Sequence, residues 1–201
     1  MIIIFDLDYT LLDMKIWKKM LADAMDISEE EYYETYSDYF YKNKIKYNIF
    51  KHLDYLIERK IISESKKEVI LSQITEKIKN IDKALFPKAE EVLEKFKNKK
   101  YKLILITWGD NVWHGLKLNN LKIKKYFDKI VIADKKKGDC VDFLKNDEDK
   151  KVLINDNLKE SIYLNEKLKN SEIFLIKSKY SRNCSELLPE YSLKDCLNLI
   201  K

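Results

Sequence analysis

Four consecutive apolar residues, Ile2, Ile3, Ile4 and Phe5, run directly into Asp6-Leu7-Asp8, and this junction restricts the possible folds more than any other stretch. A short, unbroken β-branched run has the character of a strand buried on both faces, as in a parallel sheet covered by helices. Carboxylates are costly inside such a strand, so Asp6 and Asp8 mark its exit at the carboxyl edge of the sheet, where open α/β folds bind ligands. Two apart in extended chain, both side chains turn to the same side. Acids so placed can hold a hard cation, or divide the roles of nucleophile and proton donor. An isolated D-x-D is commonly just a strand-end turn, so the rest of the chain must decide.

After Asp13 the apolar spacing changes to that of helices and stays so for some seventy residues. Ile16, Trp17, Met20, Leu21 and Ala24 recur at three and four; Ser28 followed by Glu31 reads as a capping box; Ile49 to Arg59 and Ser65 to about Ile81 supply two further helices. Four helices without a strand between them predict a small helical bundle inserted into an α/β chain. From Phe86 onward helix and strand alternate. Strands are expected at 103–106, 130–132, 152–154 and 173–176, with helices at 89–97, 111–118, 139–145, 158–168 and 193–200. With the first strand this makes a doubly wound parallel sheet of five strands.

The first four strands each lead to polar residues. Strand two delivers Thr107, then Trp108, Gly109 and Asp110; strand three is followed by Lys135, Lys136 and Lys137; strand four ends in Asn155-Asp156-Asn157, with Glu160 four residues after Asp156. A hydroxyl can donate to a phosphoryl oxygen, a lysine can neutralise charge on it, and Asp156 can bind a cation with Glu160 in support through water or the lysine. Singly, each is an ordinary turn or cap residue. Their order, each at the carboxyl end of a strand, points to one phosphate or metal site.

Composition removes several other classes. The chain is 45% apolar and 36% charged, as expected of a globular protein, with only three Gly and two Pro. The net charge of +5 is carried by lysine, since Arg59 and Arg182 are the only arginines. Acids are interspersed almost everywhere, which argues against a nucleic-acid reader, whereas the basic bias suits small anionic substrates. Cys140, Cys184 and Cys196 lack the number and spacing for a disulfide framework or a zinc site. No basic leader or membrane-length apolar run is present, so a cytoplasmic location is expected, without membrane association. The dense aromatics around Tyr32 to Tyr41 read first as bundle core, and His52 as a structural surface or boundary histidine.

The string D-L-D-Y-T-L resembles the first motif of the haloacid dehalogenase (HAD) superfamily. L-I-L-I-T, K-K-K-G-D and V-L-I-N-D-N-x-x-E are similar to its second, third and fourth motifs. This resemblance, to the phosphatase branch, implies a Rossmann-like core at 1–13 and 86–201 and a C1-type helical cap at 14–85. It implies that Asp6 is the nucleophile forming an aspartyl-phosphate, that Asp8 is the general acid and base, and that Thr107 and Lys137 bind phosphoryl oxygens, with Lys136 the second choice. Mg²⁺ would lie between carboxylate oxygens of Asp6 and Asp156 and the main-chain carbonyl of Asp8, with Thr10, Asn155 and Glu160 supporting. Trp108, Gly109, Trp17, Tyr36 and Tyr39 are candidates for contacting the substrate, a small phosphorylated metabolite. Asp8 decides against a dehalogenase, which lacks an acid there. A phosphomutase, or a binding module without catalysis, is the alternative. Tyr9, Trp108, Asn155 and Glu160 depart from the residues frequent at these positions.

Overall fold

The computed structural model describes residues 1–178 and 189–200; Cys184 and Arg182 lie outside them. The chain divides into two compact units, one made of 1–13, 85–108 and 122–201, the other of 14–84 and 109–121.

The first unit is built on a parallel sheet. Among the described residues it has six strands: β1 (Ile2–Phe5), β2 (Lys102–Trp108), β3 (Lys129–Ala133), β4 (Lys151–Asn155), β5 (Ser171–Ile176) and β6 (Glu190–Tyr191), in the order β3-β2-β1-β4-β5-β6. The sequence reading of five strands missed β6. It is two residues long, too short for an alternating or continuous apolar pattern, and its pairing of Leu175 with Glu190 is visible only in three dimensions. β1 lies centrally, with Ile3 level with Leu103 and Val152, and Phe5 level with Leu105 and Ile154.

That register explains why β1 is apolar on both faces. Ile2 and Ile4 join Ile104, Ile106 and Leu153 in one buried cluster, completed by Val141, Leu144, Leu164 and Leu168. On the other face Phe5 meets the rings of Phe96 and Phe127 at 6.3 and 6.1 Å. Helices α5 (Ala89–Asn98), α7 (Leu158–Glu166) and α8 (Leu193–Leu199) belong to this unit, the last opened by a capping box between Ser192 and Asp195.

The helix expected at 139–145 is not formed. Two 3₁₀ turns, Lys137–Cys140 and Asp142–Leu144, take its place, separated at Val141 by a backbone of φ −109° and ψ 16°. Val141 and Leu144 both reach the core, and their spacing of three matches the 3₁₀ repeat, so an i, i+3 pair alone could not tell the two apart.

The second unit is helical, with α1 (Met14–Met25), α2 (Glu29–Tyr36), α3 (Ile49–Glu58), α4 (Lys67–Lys79) and α6 (Asn111–Asn120). Ser28 caps α2 in the expected box with Glu31. A π-turn at Ser37–Tyr41, unread in the sequence, follows α2 and buries Phe40 while leaving Tyr41 exposed.

α6 follows β2 in the chain but packs in the helical unit, whereas the sequence reading ended the insertion at residue 85. Trp113 is buried there, stacked on Trp17 at 6.0 Å and edge-on to Tyr47 at 6.1 Å. The caps reinforce this. Asp110 caps α6 by accepting from the Trp113 N–H, and accepts also from Asn48 Nδ2, which itself caps α3.

Candidate active site

Asp6 leaves β1 at the carboxyl edge of the sheet and is 8% exposed. Its main-chain N–H donates to Ile154 O at 3.0 Å, which prolongs the β1–β4 ladder by one step and holds the carboxylate at the strand mouth. Its Oδ1 accepts from the Leu7 N–H at 2.6 Å. The chain then folds tightly: the N–H groups of Thr10, Leu11 and Leu12 all reach Leu7 O, and Tyr9 N–H reaches Leu12 O. This turn sets Tyr9 in the left-handed region at φ 61°, the backbone reason that glycine is the easier residue there. Asp8, half-buried, stands at the mouth of that turn. Thr10 is fully buried, and its hydroxyl has no hydrogen-bond partner among the described residues.

Lys137 comes from the turn after β3 and enters the same place. It is 3% exposed, with its Nζ 2.7 Å from Asp6 Oδ1 and 2.6 Å from Glu160 Oε2. Glu160 arrives from α7, whose N-cap Asn157 accepts from the Glu160 N–H and so brings the first helical turn back toward the sheet edge. Asn155, the last residue of β4, donates its Nδ2 to the same Glu160 oxygen at 3.0 Å. Asp156 follows, buried, and accepts from Ser178 Oγ at 2.9 Å. Thr107 is buried near the end of β2, paired in register with Ile132 of β3.

Two carboxylates, Asp6 and Glu160, thus converge on one ammonium, with Asp156 near enough to feel its charge. The electrostatics follow. Burial, with Glu160 and Asp156 adding repulsion against the opposing pull of Lys137, pushes Asp6 up to about 7. Burial also raises Asp156, to about 6, with Ser178 working in the other direction. Burial alone would lower Lys137, but the charges of Asp6 and Glu160 hold it above its ordinary value. The cluster is short of positive charge and its donors are oxygens, which is the environment a small hard divalent cation prefers. Among the described residues no three His, Cys, Asp or Glu side chains form a ready-made cage. The carboxylates of Asp6 and Asp156 and the main-chain carbonyl of Asp8, the donors expected from the sequence, are all oxygens, the ligand type that Mg²⁺ takes together with part of its water shell.

The structure therefore brings Asp6, Lys137, Asn155, Asp156 and Glu160 together, with Asp8 two residues along the turn. The substrate candidates are placed differently. Trp17 is fully buried, stacked on Trp113, so packing accounts for it. Tyr39 stacks on Tyr55 at 4.7 Å, and Tyr36 on Tyr32 at 6.4 Å with the Lys18 ammonium 4.6 Å from its ring centre. Trp108 is 48% exposed. Gly109 lies under His114: a Cβ there would sit 2.0 Å from Nε2, so the glycine makes room for the imidazole ring.

Sequence reasoning missed Ser178. The signal was available, because β5 pairs in parallel with β4, Asn155 level with Leu175, and a polar residue just beyond β5 emerges at the same edge as Asp156.

Comparison with known proteins bears on the fold and the family. The model of the haloacid dehalogenase-like hydrolases matches residues 3–139. No curated protein matches the chain. Among solved structures, a haloacid dehalogenase-like hydrolase reported from Burkholderia xenovorans LB400 superposes with a TM-score of 0.72 at 14% identity, covering 98% of this chain and 95% of its own. A protein reported as a β-phosphoglucomutase from Thermotoga maritima gives 0.66 at 18%, over 99% and 97%. L-2-haloacid dehalogenase from Xanthobacter autotrophicus gives 0.64 at 11%, over 99% and 97%. At such identities the likeness is one of fold, while the family model spans the two acids, the threonine and the lysine of the candidate site. The chain belongs to the haloacid dehalogenase-like hydrolases.

Proposed function

We propose that the protein is a Mg²⁺-dependent phosphatase that hydrolyses small-molecule phosphomonoesters through Asp6. The observation that carries this reading is the buried Asp6–Lys137 pair at the mouth of β1, with a second carboxylate, Asp8, two residues on. A carboxylate nucleophile needs positive charge beside it to tolerate an approaching phosphate dianion, and Lys137 supplies one unit of it. Asp6 and Asp156, with the main-chain carbonyl of Asp8, are the groups that would hold Mg²⁺. The ion would offset the remaining repulsion between carboxylate and phosphate.

The residues divide the chemistry between them. Asp6 attacks phosphorus as the ester P–O bond breaks, and Asp8 gives its proton to the departing alkoxide. Water then attacks the aspartyl-phosphate, Asp8 takes its proton, and cleavage of the P–O bond to Asp6 frees inorganic phosphate. Thr107 and Lys137 are assigned to the phosphoryl oxygens. The helical unit is assigned the choice of the organic group. The acid at position 8 favours ester hydrolysis over dehalogenation, since dehalogenation has no alkoxide to protonate.

Asp8→Asn tests the assignment. Loss of a general acid and base costs about 10²- to 10⁴-fold. We expect phosphate release from an aryl phosphate to fall by that factor, with more of the loss for esters of poorer leaving groups. An unchanged rate would remove Asp8 from the chemistry. Transfer of the phosphoryl group to a sugar hydroxyl in preference to water would identify a phosphomutase instead.

A further inference from the structure

Lys137 lies in a single 3₁₀ turn, which offers little rigidity of its own, and yet its ammonium is held between two carboxylates. Helix α7 grips that turn twice. Glu160 accepts from the lysine Nζ, and three residues further along the helix Tyr163 donates its hydroxyl to Asp139 Oδ1 at 2.6 Å. The two positions are i and i+3 and share one helix face.

Gly138, between Lys137 and Asp139, lies beneath the Tyr163 ring. A Cβ there would sit 2.7 Å from both Cδ1 and Cε1 of the ring and 3.3 Å from the Tyr163 carbonyl oxygen. None of the described glycines has a positive φ, so it is close approach and not backbone freedom that calls for glycine here. The ammoniums of Lys136 and Lys167 each lie 5.1 Å from the centre of the same ring. Asp139 N–H to Lys136 O at 2.9 Å closes the turn.

We infer that Tyr163 is a positioning residue for Lys137: seated on Gly138 and bonded to Asp139, it clamps the lysine's turn to α7 so that the ammonium stays aligned with Asp6. The inference rests on the phosphatase reading for its catalytic consequence, not for the clamp itself. Lysine is a long side chain with many rotamers, and a buried one is aimed only as well as its backbone is fixed. Tyr163 is half-buried, outside the cluster formed by Leu164 and Leu168, so the hydroxyl can be removed while the core stays filled.

The experiment uses the full chain with Tyr163→Phe, Asp139→Ala, Asp139→Asn and the double variant Tyr163→Phe/Asp139→Ala. Two readouts are taken: pulse acetylation of Lys137 by acetic anhydride, quantified by mass spectrometry, and kcat and KM for an aryl phosphate. Loss of one such hydrogen bond corresponds to roughly tenfold. Tyr163→Phe and Asp139→Ala should each acetylate about tenfold faster at Lys137, with kcat about tenfold lower, KM changed less than about threefold, and Tm nearly unmoved. The double variant should be no worse than either single one. Asp139→Asn keeps an oxygen acceptor and should restore both readouts to within about threefold of wild type. The clamp is overturned if Lys137 acetylates equally in all variants, if Asn behaves as Ala, or if Tm falls while kcat per folded molecule is unchanged. Faster acetylation in variants of a wild type that releases no phosphate would retain the clamp and refute the phosphatase reading. Normal turnover with unshifted acetylation would do the reverse.

Discussion

His52 is fully buried in the helical unit, with Nε2 2.8 Å from Thr35 Oγ1, Nδ1 3.3 Å from the Tyr47 hydroxyl, and the rings of Tyr32 and Phe40 against it. Burial drives its pKa from 6.5 down to about 4. The folded state therefore keeps the ring neutral where the unfolded chain would protonate it. Above pH 6.5 the group contributes nothing to the pH dependence of stability. As pH falls below 6.5 the unfolded chain binds the proton first, so stability is lost progressively down to the folded value. The loss amounts to about 3 kcal/mol by pH 4. Urea unfolding at pH 7, 5.5 and 4.5 should show this slope in the wild type and a shallower one in His52→Gln; equal slopes would contradict it. The sequence reading took His52 for a structural surface or boundary histidine, whereas it is buried; its place on the apolar face of its helix with Ile49, Leu53 and Leu56 was the signal that was legible. Its polar partners were not, since Thr35 and Tyr47 come from elsewhere in the chain.

Helices α1, α3 and α5 end on aspartate or lysine where glycine would be easier: Asp26, Lys60 and Lys100 all have positive φ. At the end of α3, Lys60 N–H reaches Ile57 O and Ile61 N–H reaches Leu56 O, the bond pattern of a left-handed helix stop. Lys60→Gly removes the Cβ penalty from this exposed position at some cost in unfolded-chain entropy. It should stabilise by about 0.5 kcal/mol, roughly 1–2 °C in Tm for a domain of this size. A fall in Tm would show that the lysine side chain itself supports the stop. The same feature limited what could be read of the elements. Helix starts carried their signals, as Ser28 with Glu31 shows, whereas ends without glycine carried none. Strands β1, β2 and β4 were legible because burial on both faces leaves unbroken apolar runs. The stretch 139–145 was read as a helix because Val141 and Leu144 suit both periods, and α6 was counted with the sheet because nothing local says that Trp113 stacks on Trp17.

Across the whole molecule, relatives with only 11–18% identity preserve the fold over at least 95% of both chains. Such divergence is expected of a fold whose strands need only apolar character and whose chemistry needs only a few groups at one sheet edge. Asp6, Thr107, Lys137 and Asp156 could be placed at that edge from the sequence because each lies at or just beyond the carboxyl end of a strand. Their supports could not, because Ser178 and Tyr163 act through other residues. Among the described residues no helix is long and apolar enough to cross a membrane. The net charge is +5, yet in the candidate site the acids Asp6, Asp156 and Glu160 outnumber the one buried lysine, Lys137. An enzyme so arranged should depend on both its buried nucleophile and an added cation. The most direct measurement is phosphate release from an aryl phosphate by the wild type and by Asp6→Asn, each with Mg²⁺ and after chelation. We predict turnover only in the wild type with Mg²⁺. Turnover that persists in Asp6→Asn, or that is indifferent to chelation, would contradict the account.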